Sequence, residues 1–209
     1  MSALTFASAP EDAEALHSAE ARYARMAGEL AGRVTLLLTA VGRDERAAER
    51  FRAGLVAFCD RELLPYAAAE EATLYPVARR LPDTRLLVEG LIGEHRCLAS
   101  LVDALRGAPT TAGAAADARA LQVVFEEHVA KQNGLVLPLL AAAPGVRLAR
   151  LLERLHHRIA HTPTNGGGAP DADETEKAGE TKTEDKTEET SGCGCACGGE
   201  EAAEPVLDV

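Results

Sequence analysis

The chain has 209 residues, 46% of them hydrophobic, 26% charged and only 3% aromatic, with no Trp. Its net charge of −11 argues against bulk electrostatic binding to nucleic acid or to an acidic lipid surface. The longest apolar runs, such as residues 135–143, fall far short of the ~20 residues needed to cross a bilayer, so no membrane span is expected.

The opening stretch MSALTFASAPEDAEAL lacks a basic region followed by an apolar one. No secretory signal is therefore expected, and the reducing cytoplasm is the expected location. The following stretch is rich in Ala, Leu, Arg and Glu with almost no β-branched alternation, which predicts an all-α fold. A first helix is predicted over residues 10–41, opened by Ser8 or Pro10 with acidic residues behind them, and ended by Gly42. A second covers residues 44–80, with Pro65 as an internal kink or break and Pro82 just beyond. A third covers residues 83–106 and stops at Gly107, Ala108 and Pro109. A fourth covers residues 112–142, its last turn bent by Pro138, and a shorter fifth spans residues 146–161. Four long helices with short connections fold most simply as an antiparallel four-helix bundle.

Beyond the helices the composition changes. Residues 163–209 hold 13 acidic and 3 basic residues, a net of −10, whereas residues 1–162 hold 20 and 19, a net of −1. The expected organisation is a bundle over residues 1–162 and a disordered acidic linker over 163–209. Within the linker, GCGCACGG carries Cys193, Cys195 and Cys197 in alternation. That spacing is neither a disulfide framework nor a C-x-x-C knuckle, so soft-metal binding, thiol exchange and a plain tether all stay open.

Residues three and four apart share a helix face, and the apolar stripe of each helix can be followed to where a polar group interrupts it. The first stripe is Leu16, Tyr23, Met26, Leu30, Val34, Leu37 and Val41. The second runs Phe51, Leu55, Phe58, Leu63, Tyr66, Glu70, Leu74, Val77. The third is Val88, Leu91, His95, Leu98, Val102 and Leu105, and the fourth Leu121, Phe125, His128, Gln132, Leu135 and Leu139. Every helix thus points polar groups inward: Tyr23, then Tyr66 with Glu70, then His95, then His128 with Gln132. A buried carboxylate is costly unless a positive charge or a donor meets it, and no Arg or Lys lies on these stripes beside Glu70. A metal ion held by Glu70, His95 and His128 meets that need; a hydrogen-bonded polar layer is the other solution.

At these residues the chain resembles the hemerythrin-like, or HHE cation-binding, family over about residues 10–160. The resemblance rests on YAAAEEATLYP (66–76), GEHRCLASLVDAL (93–105) and EEHVAKQNGLVLPLL (126–140). It implies a bundle whose helices hold a non-haem di-iron centre through His and carboxylate ligands, with manganese or zinc as other occupants. Such centres bind dioxygen, react with peroxide or nitric oxide, or sense iron and oxygen, so an oxidant-handling activity is one implied outcome. The resemblance assigns Glu70, His95 and His128 as ligands. It places Tyr66 and Tyr23 where the family has His, and Gln132 where it has Glu; His17 lies close enough to Tyr23 to compete for that position. A phenolate is a hard oxygen donor suited to ferric iron, so Tyr23 and Tyr66 are candidate ligands. A metal-free bundle that senses or binds another protein is the competing function. Glu71, Glu94, Glu126 and Glu127 are the set from which carboxylates steering His95 or His128 would come. His156, His157 and His161 cluster at the end of the fifth helix, where a solvated cationic group is expected rather than a second metal site. The resemblance further reads the final EPVLDV as the first strand of a small α/β domain cut short.

Overall fold

The computed structural model describes residues 9–161. The acidic linker, its Cys193, Cys195 and Cys197, and the EPVLDV segment lie outside the described residues. Among the described residues the structure is all helical. It comprises α1 (Pro10–Ala40), α2 (Glu45–Phe58), α3 (Leu64–Thr73), α4 (Tyr75–Ala78), α5 (Arg85–Gly107), α6 (Thr111–Lys131), α7 (Leu137–Ala142) and α8 (Leu148–Ala160). Wider π-helical turns join α2 to α3 at Cys59–Leu63 and α6 to α7 at Gln132–Val136. None of these helices is long and apolar enough to cross a membrane.

Local chemistry sets the ends. Pro10 opens α1, where its missing N–H costs nothing, with Glu11 and Asp12 in the positive first turn. Gly42, at φ 73°, supplies the left-handed residue that reverses the chain after α1. Asp44 Oδ1 accepts the Ala47 N–H at 2.9 Å and caps α2. Thr110 Oγ1 accepts the Gly113 N–H at 3.1 Å and caps α6. Asp12, fully buried, accepts the Ala149 N–H at 2.9 Å, so the first turn of α1 caps the start of α8. A cap of this kind contributes about 1 kcal/mol.

The two π turns are the feature that periodicity does not predict. Each is followed by one leucine and then a proline, at Leu64–Pro65 and Leu137–Pro138. Proline cannot donate to the ladder, and its ring crowds the carbonyl four residues back. Here the N–H of Leu64 reaches five residues back to Cys59 O, and that of Leu137 to Gln132 O. The wider turn relieves the crowding, so Pro65 produces no break and the second rod continues into α3. One extra residue also advances the buried face by about 100°. From the last residue of the second π turn the core residues are therefore Val136, Leu137, Leu140 and Ala141, while Leu135, expected inside, is 48% exposed.

α1, the α2–α3 rod, α5 and the α6–α7 rod pack in that order around a closed ring, α1 touching both α2 and α6. Their shared interior is a continuous apolar core built on Leu30, Leu37, Leu55, Leu63, Leu91, Leu98, Leu105 and Leu121. α8 lies across α1 and α3, burying Leu148, Leu151, Leu152 and Leu155.

Candidate metal centre

Four rods bring their polar interruptions to one interior layer. Tyr23 comes from α1, Tyr66 and Glu70 from α3, His95 from α5, His128 from the end of α6 and Gln132 from the start of the second π turn. All six are buried, none more than 5% exposed. One acceptor-capable atom from each of Glu70, His95 and His128 lies within 4.8 Å of the others, and no other such group of three metal-binding side chains occurs among the described residues.

The two imidazoles are oriented from outside. His95 Nδ1 lies 2.8 Å from Glu71 Oε1, and His128 Nδ1 3.2 Å from Glu94 Oε2. Ionised carboxylates only accept, so each Nδ1 carries a proton and donates it. Lys131 Nζ in turn holds the other oxygen of Glu94. Stacking fixes the ring planes: Tyr75 lies on His95 at 5.5 Å and Phe125 on His128 at 6.3 Å.

With both Nδ1 atoms protonated, the inner Nε2 atoms of neutral imidazoles present lone pairs. They face each other at 3.4 Å, and Glu70 Oε2 stands 3.2 Å from His95 Nε2 and 3.8 Å from His128 Nε2. Three electron-rich atoms converge on a buried point, an arrangement stable only with a cation there. The electrostatics carry the same demand. Burial opposes the charge on Glu70, but the imidazoles of His128 and His95, once protonated at Nε2, outweigh it and hold the carboxyl at about 2. Burial likewise opposes a charged His95, yet Glu70 and Glu71 raise it above its ordinary value. A proton fills the gap in the chain as it stands, and a metal ion is the other cation that fits.

The remaining groups divide the labour around Glu70. Its Oε1 accepts from the Tyr23 hydroxyl and, at 3.0 Å, from Gln132 Nε2. Burial and the charge of Glu70 raise Tyr23 well above the ordinary phenol range. Tyr23 and Gln132 therefore stand as donors that fix the carboxylate and turn Oε2 toward the imidazoles. Tyr66 is different: its hydroxyl is buried and has no hydrogen-bond partner. An orphaned hydroxyl costs about 1–3 kcal/mol, which asks for a ligand at that place. Tyr66 lines a cavity of about 10 Å3 together with Met26, Leu98, Glu70, His95 and His128. That volume holds about one water-sized molecule.

Periodicity missed Tyr75. Its ring is buried and its hydroxyl lies 3.5 Å from both His95 Nε2 and Gln132 Oε1. The helical ladder breaks at Leu74, two residues before Pro76, and both Leu74 and Tyr75 are buried. The signal was the proline, which makes a strict 3.6 count unsafe beyond it. Other sequence candidates fall away from the centre. His17 is exposed, and Tyr23 is the residue that α1 brings to the layer. Glu126 and Glu127 are exposed, and Glu126 accepts from Gln122. His157 and His161 stack on each other at the exposed end of α8, and no carboxylate joins them in a metal-binding group.

An antiparallel four-helix bundle with a buried carboxylate facing two carboxylate-pinned imidazoles is the architecture of a cation-binding helical protein. Residues 22–140 match the family model described as the hemerythrin HHE cation-binding domain, and the chain belongs to that family. No curated protein and no solved structure matches the chain.

Proposed function

We propose that this is a non-haem iron protein that handles a small oxidant, with the metal held by Glu70 Oε2, His95 Nε2 and His128 Nε2. The observation that carries the reading is the convergence of those three atoms while both outer imidazole nitrogens are tied to Glu71 and Glu94. Two imidazoles and one carboxylate suit non-haem ferrous iron with open coordination positions. This donor set favours one metal ion over the two that the family resemblance suggests, because Glu70 is the single carboxylate in the layer. Bound iron would supply electron exchange with dioxygen, peroxide or nitric oxide.

The chain's own residues set the terms of that chemistry. Tyr23 and Gln132 position Glu70. Tyr66 presents an unengaged hydroxyl, either as an oxygen ligand to ferric iron or as a donor to the small molecule in the adjoining cavity. Leu63, Met26, Leu98 and Phe125 line that cavity and keep bulk water from it. A second reading, a metal-free bundle serving as a sensor or interaction module, is supported by one fact: Glu70 already accepts from Tyr23 and Gln132 and faces a raised His95.

Metal content separates the two. Protein from iron-supplemented cells is expected to carry close to one iron per chain, and the Glu70→Ala variant almost none. Equal, sub-stoichiometric iron in both proteins would favour the metal-free reading.

A further inference from the structure

The two imidazoles of the layer are held alike but are not charged alike. Glu71 on His95 and Glu94 on His128 each accept an outer Nδ1–H, at 2.8 and 3.2 Å. Glu71 is 40% exposed, and among the described residues no Lys or Arg forms an ion pair with it. Glu94 is more enclosed and gives its other oxygen to Lys131 Nζ. One imidazole therefore meets a carboxylate with its full charge, and the other a carboxylate already neutralised by an ammonium.

The sequence sets the same residue apart. Of the 19 basic residues in 1–162, 18 are Arg, and Lys131 is the one Lys. An Arg fork takes both oxygens of a carboxylate, which here would compete with His128 for Glu94. An ammonium is a point charge that binds one oxygen and leaves the second to the imidazole. Lys131 stands three residues after His128 at the end of α6, on the same side of the helix, so both side chains reach one carboxylate. A carboxylate on Nδ1–H draws that proton outward and makes Nε2 the stronger donor. A stronger donor stabilises a metal in its higher charge state. The ammonium weakens the pull of Glu94 and adds a positive charge nearby, and both effects favour the lower charge state.

We propose that Lys131 is a positioning residue that acts through Glu94 and His128 to hold the centre toward the ferrous state, the state that gives an electron to a small oxidant. The inference rests on the iron reading given above and deepens it. Lys131 neither touches the metal nor carries the electron. It sets how strongly His128 donates, while His95, tied to Glu71, remains the stronger imidazole.

The test is a potentiometric titration of the iron-loaded full-length protein against redox mediators, followed by its ferric EPR signal. Lys131→Met should keep the parent's iron content and raise the ratio of ferric to ferrous affinity about tenfold, a fall in midpoint potential of about 59 mV for one electron. Lys131→Arg keeps the charge and should stay at or above the parent's potential. A second measurement follows the route through Glu94 in zinc-loaded protein, where the metal has no redox chemistry. There the Nδ1 proton resonance of His128 should move downfield in Lys131→Met, as Glu94 becomes the stronger acceptor, while that of His95 stays. Equal potentials for Lys131→Met and the parent, or an equal fall in Lys131→Arg, overturn the inference and leave the iron reading standing. An unmoved His128 resonance, or an equal movement of both, overturns the route through Glu94. A parent that takes up neither iron nor zinc overturns the metal reading and this inference with it.

Discussion

Tyr66 is the residue where structure and chemistry are most exposed to test. It has the volume of a core side chain, a T-shaped contact with Tyr23 at 5.2 Å, and a hydroxyl with no hydrogen-bond partner. Tyr66→Phe keeps the ring and removes only that hydroxyl, so thermal stability should stay within about 1 kcal/mol of the parent or rise slightly. If the phenol reaches ferric iron, the same change should bleach the visible charge-transfer band and reduce retained iron. An unchanged spectrum in iron-loaded Tyr66→Phe would remove the phenolate from the ligand set while leaving Glu70, His95 and His128 in place. Glu70 makes a prediction for the metal-free protein. Its carboxyl sits at about 2 against an ordinary 4.5, so its contribution to stability is present above about 4.5 and drains as pH falls toward about 2. His95 is raised, so its contribution is complete below its ordinary 6.5 and is lost as pH climbs through the raised value. Chelated protein should therefore be most stable between those limits, on the acid side of neutrality. Urea midpoints measured across pH should show an acid limb that flattens in Glu70→Gln; a limb indifferent to that change would mean that the pairing with the imidazoles is not made in solution.

Among the elements, the π turns decide which residues meet the core. His128 and Gln132 precede the second π turn and keep the ordinary spacing of four, which is why both could be placed in the layer by counting along α6. Leu135 and Leu139 follow its start, and counting put them inside; the extra residue hands their places to Val136 and Leu140. A direct check is a pair of substitutions on adjacent residues. Leu135→Lys should cost less than about 0.5 kcal/mol, as exposed changes do, whereas Val136→Lys buries an unpaired ammonium and should cost more than about 4 kcal/mol or abolish folding. Denaturation midpoints of the two variants read the register, and the opposite order would place the turn elsewhere. The same physics explains what could be read from sequence alone. Stripes at three and four residues located Tyr23, Tyr66, Glu70, His95, His128 and Gln132, because a helix without interruption repeats its face faithfully. Tyr75 could not be read that way, since the ladder lapses at Leu74, two residues before Pro76. Nor could stripes choose between Glu71, Glu94, Glu126 and Glu127 as partners for the imidazoles. That choice depends on how the rods are rotated against one another, and it brings Glu71 of α3 to His95 of α5, and Glu94 of α5 to His128 of α6.

For the whole molecule, the layer at Glu70 is where three rods are tied by charge rather than by apolar contact alone. α3 contributes Glu70, α5 His95 and α6 His128, while Tyr23 brings in α1. These groups lie far apart in sequence, so the donor set assembles only in the folded bundle, and a cation bound there stabilises the folded state alone. Iron present at 100 times its dissociation constant would add about 2.7 kcal/mol. For a domain of this size that corresponds to a rise in melting temperature of roughly 5–11 °C. Chelation of the iron-loaded protein should remove the rise, and re-addition of ferrous iron under anaerobic conditions should restore it. Glu70→Ala should show no difference between loaded and chelated forms. Glu94→Gln should show a reduced rise, because His128 then loses the carboxylate that holds its Nε2 toward the centre. Lys131, freed from Glu94 in that variant, provides the control: Lys131→Met alone leaves Glu94 on His128 and should keep most of the iron-dependent rise. Equal melting temperatures for the iron-loaded and the chelated parent would mean that the layer is held by protons and hydrogen bonds only. The convergence of lone pairs at His95 Nε2, His128 Nε2 and Glu70 Oε2 would then be satisfied by protonation of the imidazoles rather than by a metal ion.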